Sequence, residues 1–216
     1  MIYDHTNPKY MRVWLSSPSR FNGAYFYSRE IVSNIIPNVR TGRGWVTINA
    51  KGCCEDGSIV FIHNNLNLGV YEWLRKYRDL ILVCGVPDTV PKMAHLGNAV
   101  YLPLSVDVPF VNGFLRPKDK DAAFAGRRSK RNGEGAKASF PEGTDFLEDM
   151  PRNDLLREMA RYRSIYAVGR CAIEARVLGC EILPYDPRYP DPSFWKVIDN
   201  RDAAQMLQGI LDVVDG

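Results

Sequence analysis

The chain has 216 residues, 45% of them hydrophobic and 25% charged, and a formal net charge of +3. That length accommodates one domain or two small ones with proper cores, and the composition is that of an ordinary globular protein. The mild positive charge does not by itself argue for nucleic acid. Apolar runs such as Leu80 to Cys84 are too short for a transmembrane helix, and Met-Ile-Tyr-Asp-His at the start does not read as a secretory leader. Five cysteines, Cys53, Cys54, Cys84, Cys171 and Cys180, show no zinc-type spacing, and three of them lie in apolar segments, so a reducing cytoplasm is the expected setting.

In chain order, Met11 to Leu15 reads as a short strand, followed by a turn-rich loop from Ser16 to Gly23. Ala24 to Ile36 reads as a helix that stops before Pro37. Strands are expected at Trp45 to Ala50, Ser58 to His63, Asp79 to Gly85 and Ala99 to Leu102. Between them an amphipathic helix is expected over Tyr71 to Tyr77 and a short one over Val90 to Leu96. Pro103 to Pro109 reads as a crossover between domains, with boundaries at 1–105 and 106–216. The second half predicts strands at Asp121 to Gly126 and Thr144 to Leu147, then a helix from Pro151 to Tyr162 with Asp154 and Glu158 in its early turns. A Pro- and aromatic-rich loop, Asp186 to Asp199, precedes a last helix, Arg201 to Val214. Strands alternating with helices indicate α/β architecture with parallel, doubly wound sheets.

The most informative segment is Tyr166-Ala-Val-Gly169-Arg170-Cys-Ala-Ile-Glu174-Ala-Arg-Val-Leu-Gly179-Cys-Glu-Ile-Leu-Pro-Tyr-Asp186. It reads as strand, glycine turn, helix, glycine stop and strand. Amide groups at a helix N-terminus such as Gly169–Arg170 suit a phosphate, and Glu174 lies one turn into that helix, within reach of ribose hydroxyls. An ordinary βαβ crossover with a surface glutamate is the plain alternative. Upstream, Phe124-Ala-Gly126-Arg127-Arg128-Ser-Lys130-Arg131 ends a strand in glycine and follows it with four cations in five residues. Cations at the carboxyl edge of a parallel sheet are placed to neutralise a diphosphate.

This pair of motifs resembles the donor half of GT-B glycosyltransferases, in the large retaining family that includes glycogen and sucrose-phosphate synthases. The resemblance implies two small Rossmann-like domains facing each other across a cleft. It also implies a nucleotide-sugar co-substrate and no bound metal. Arg127 and Lys130 (or Arg131) match the basic pair that grips the diphosphate, and Glu174 matches the second glutamate of the family's paired-glutamate motif. Tyr166 stands at the position of that motif's first glutamate, which is therefore absent. Pro103-Leu-Ser-Val-Asp107 is similar to the segment leading into the family's second domain.

On the first half, the single glycine Gly23 stands where the family places its glycine-rich loop, and a plain loop glycine is the simpler reading. His63 closes an apolar strand and is followed by Asn64 and Asn65. An imidazole and two amides at a strand's carboxyl end suit a sugar's hydroxyls, and they also suit a turn. Asp88, after another strand, is either an acid/base group or turn chemistry with Pro87 and Thr89. Arg116 to Lys137 carries eight cations against three acids, which serves the donor phosphates, attracts a polyanionic acceptor such as DNA, or forms a solvated loop. No aromatics interleave Arg127 to Ala138, which disfavours single-stranded nucleic acid as acceptor. Tyr185, Tyr189, Phe194 and Trp195 line a sugar or base pocket or staple the last helix.

Overall fold

The structure, a computed structural model, describes residues 29–47, 54–62, 68–126, 140–148 and 150–216. Among these residues eight strands form two parallel sheets of four. The chain divides into two units: Met1–Leu104 with Asn200–Gly216, and Ser105–Asp199. The first division falls at the Pro103–Pro109 crossover. No local feature of the sequence announces that the last helix returns to the first unit.

In the first unit β1 (Trp45–Thr47), β2 (Ile59–Ile62), β3 (Ile81–Cys84) and β4 (Asn98–Tyr101) lie in the order β1-β2-β3-β4. β2 and β3 are buried at every position, so they read as continuous apolar runs rather than alternating ones. Val46, Val60, Ile62, Leu82 and Cys84 share one face. They pack with Tyr71 and Leu74 of the 3₁₀ helix Leu68–Lys76 and with Met93 and Leu96 from the Val90–Met93 helix region. On the opposite face Ile59, Phe61, Ile81 and Val83 are equally buried, and Trp45 stacks on Phe61 with ring centroids 6.0 Å apart.

The helix Asn200–Asp215 buries Ala203, Ala204, Leu207 and Leu211, a three-to-four spacing that makes one apolar stripe. It packs against the segment Ile31–Asn38. Polar links fix the pairing: Arg43 Nη2 to Asp215 Oδ1 at 2.6 Å, and Arg40 N to Gln208 Oε1 at 2.6 Å. The helix expected to stop before Pro37 instead passes through a π-helical turn, Ile31–Ile35, into a 3₁₀ turn, Ile36–Asn38. Proline is tolerated there because the first turn of a new helix needs no donor from it.

In the second unit β5 (Lys120–Ala125), β6 (Asp145–Leu147), β7 (Tyr162–Tyr166) and β8 (Glu181–Leu183) take the order β6-β5-β7-β8. Helix Arg152–Met159 joins β6 to β7, and helix Arg170–Val177 joins β7 to β8. The first of these ends three residues earlier than Tyr162, because Tyr162 already belongs to β7, paired in register with Lys120. At this amino edge Tyr162 Oη donates to Asp145 Oδ2 at 2.6 Å, and Lys120 Nζ donates to Tyr162 Oη at 2.8 Å. Both ends of the unit run side by side: Val106 pairs with Asp199 in an isolated parallel bridge.

Register also gathers an aromatic layer. Phe124 pairs with Phe146 on one side and Tyr166 on the other, so the three rings share a face. Phe140 and Tyr185 join them, with Phe124–Phe140 and Phe124–Tyr185 centroids 5.0 and 5.3 Å apart. The four late aromatics therefore split. Tyr185 belongs to this layer, whereas Tyr189, Phe194 and Trp195 form a separate cluster with centroids 4.7–5.4 Å apart.

Candidate functional site

From β5 the chain moves to one side to make β6, then returns past β5 to make β7 on the other. That reversal is a topological switch point, and the crevice at the carboxyl ends of the two strands flanking it is where open parallel sheets bind ligands. The described parts of the two segments singled out in the sequence both reach that edge. Gly126 follows β5, Gly169 follows β7, and Phe124 and Tyr166 near those ends are register partners.

Each glycine has a local reason. Gly169 is the N-cap of helix Arg170–Val177 with φ 64° and ψ −138°, a combination side-chain-bearing residues avoid. Having no side chain, it leaves the N-terminal amides to whatever approaches, since the first turn of a helix has no acceptor of its own for them. A Cβ on Gly126 would stand 3.0 Å from Phe124 Cζ, so the backbone there passes tightly over the aromatic layer. At the far end, Gly179 N donates to Arg176 O and Cys180 N to Ala175 O, both at 2.9 Å, which closes the helix in a Schellman motif as its glycine stop predicts.

Glu174 is not a surface glutamate: it is 4% exposed. Its Oε1 accepts from Arg152 Nε at 3.2 Å, Arg152 Nη2 at 2.9 Å and Arg170 Nη2 at 3.2 Å. Arg152 opens the helix after β6 and Arg170 opens the helix after β7, so both cations lie at the carboxyl edge of the sheet. The Arg152 guanidinium also sits 5.2 Å from the centroid of Phe110. Arg152 escaped sequence reasoning because it lies 22 positions from Glu174 on another helix. Only its place directly after Pro151, at a helix start, hinted at a carboxyl-edge role.

Next to β8, Asp186 is 2% exposed and accepts from the backbone N of Arg188 at 3.0 Å and from its Nε at 2.9 Å. Burial pushes this carboxyl up, but the bonds and charge of Arg188 outweigh it and hold the group below its ordinary range. A carboxyl with a depressed folded-state value stabilises above its unfolded value, and the contribution is lost as pH falls through the folded one. The melting temperature of the native chain should therefore exceed that of Asp186→Asn at neutral pH. In thermal melts the gap should narrow below roughly pH 4, where the unfolded carboxyl takes up its proton.

Thiol chemistry has no support at the described positions. Burial pushes Cys171 up to about 12, with the charge of Glu174 adding to the effect, and burial pushes Cys84 to about 12 and Cys54 to about 11. All three are free thiols. Asp88 is exposed in the 3₁₀ turn Pro87–Thr89 after β3. Gly23, His63, Asn64, Asn65, Arg127, Lys130 and Arg131 lie outside the described residues. Their neighbours in sequence, Ile62 at the end of β2 and Gly126 after β5, are at carboxyl edges. Among the described residues no helix is long and apolar enough to cross a membrane. Comparisons of the chain with protein-family models, with curated proteins and with solved structures found no match.

Proposed function

We propose that the chain is a glycosyltransferase that moves a sugar from a nucleotide-sugar donor to an acceptor, with the donor's diphosphate and ribose held by the second unit. The observation that carries this reading is that Gly126 and Gly169 follow the two strands flanking the switch point, with Glu174 one turn into the helix that starts there. Arg127 and Lys130, with Arg131, neutralise the leaving diphosphate, and the amides after Gly169 add to them. Catalysis then rests on positioning and electrostatic stabilisation of the leaving group. On this reading the sugar and acceptor contacts come from His63, Asn64 and Asn65 of the first unit, with Gly23 and Asp88 as further candidates. The acceptor is left open, a polyanion such as DNA included.

A second reading, a non-catalytic nucleotide or nucleotide-sugar binder, is favoured by Tyr166. It stands where the family has its first glutamate, and its ring packs 5.2 Å from Phe140 in the aromatic layer. Incubation with a panel of nucleotide sugars and no acceptor separates the two. Slow release of nucleoside diphosphate, reduced at least tenfold in Lys130→Ala, is expected of the transferase; binding without release identifies the binder. A thermal-shift screen with no response to any nucleotide or nucleotide sugar would contradict both.

A further inference from the structure

We propose that Arg152 is a positioning residue for the nucleotide's ribose: with Arg170 it holds Glu174 by one carboxylate oxygen and leaves the other to the ribose diol. The inference rests on the nucleotide-sugar reading of the same site.

Three donor bonds converge on Oε1 of Glu174, and among the described residues none falls on Oε2. An ionised carboxylate oxygen offers about two lone pairs, so Oε1 is already saturated. Any hydroxyl that Glu174 is to receive must come to Oε2, which retains the acceptor capacity for a vicinal diol. The carboxylate cannot simply swing to meet a ligand. The side chains of Arg152 and Arg170 are each 14% exposed and that of Glu174 is 5% exposed, so all three are confined by packing. Arg152 contributes two of the three bonds, from Nε and Nη2. Its guanidinium is itself seated against the ring of Phe110 on the helix Val108–Asn112. A planar guanidinium seated over a ring fixes orientation in a way that an ammonium on a flexible stem does not. Holding the acceptor in place before the ligand arrives lowers the ordering cost of binding and makes the loss of one hydroxyl costly.

The test is calorimetric titration of the full chain with uridine, guanosine and adenosine diphosphates and with the 2′-deoxy form of each. The native chain should prefer the ribonucleotide that it binds best over its 2′-deoxy form by roughly tenfold or more, the scale of one bond to a charged group. In Arg152→Met the preference should collapse to within about twofold, with affinity for the 2′-deoxy form nearly kept. Arg152→Lys should be intermediate, and it carries the test if the methionine variant does not fold. A merely structural role for Arg152 would weaken both nucleotides in parallel and leave their ratio unchanged; that result overturns the inference alone. Failure of the native chain to bind any of the diphosphates overturns the donor-site reading and the inference with it.

Discussion

Replacing Glu174 by alanine should lower the stability of the second unit by about 3–5 kcal/mol, the usual cost of removing one partner from a buried ion cluster. Two guanidinium groups meet on a single oxygen of this residue, Arg152 Nη2 at 2.9 Å and Arg170 Nη2 at 3.2 Å. Without the carboxylate, two largely buried cations lose the oxygen they share. Their repulsion and desolvation add to the cavity left behind. Glu174→Gln keeps the shape and one acceptor oxygen, so its cost should be smaller, about 1–3 kcal/mol. Urea denaturation of the three proteins, followed by tryptophan fluorescence, measures both numbers. Trp195 is buried in the second unit and reports on it.

Phe124→Ala should be as damaging, about 3–5 kcal/mol, for a different reason. Phe124 has no exposed surface, and its ring meets Phe140, Phe146 and Tyr185 at centroid distances of 5.0–5.9 Å. Truncation removes the centre of the layer, and the tilted and edge-on ring contacts go with it. Phe124→Leu refills most of the volume and should cost well under half as much. The same denaturation experiment distinguishes the two variants. An alanine variant within about 1 kcal/mol of the native chain would mean that the layer is not a core but a loose cover.

Much of this architecture is legible in the chain. The apolar runs Ile59 to Ile62 and Ile81 to Cys84 are strands buried on both faces, and that burial is what makes them continuous rather than alternating. Gly169 and Gly179 bracket a helix because one supplies a backbone turn barred to other residues and the other closes a Schellman motif. What local pattern does not carry is partnership across sequence distance. The sheet order β6-β5-β7-β8 depends on which strand β7 joins, and nothing inside β7 encodes that choice. Glu174 looks like a surface glutamate until Arg152 arrives from another helix to bury it. The last helix shows its apolar stripe plainly, but the residues it pairs with, Glu30, Arg40 and Arg43, are more than 160 positions away. Helix and strand ends shift by one to three residues for the same reason, as at Tyr162, where pairing with Lys120 claims the residue for β7.

The central claim is that a nucleoside diphosphate binds at the carboxyl edge of the second sheet, gripped by the cations that follow Gly126. Calorimetric titration of the native chain and of Arg127→Ala with the nucleoside diphosphate that most raises the melting temperature tests it directly. Loss of one charge-assisted bond to phosphate should weaken binding by about 1.5–3 kcal/mol, roughly tenfold to 150-fold, with the melting temperature of the ligand-free protein unchanged. Equal affinities for the two proteins would contradict the claim.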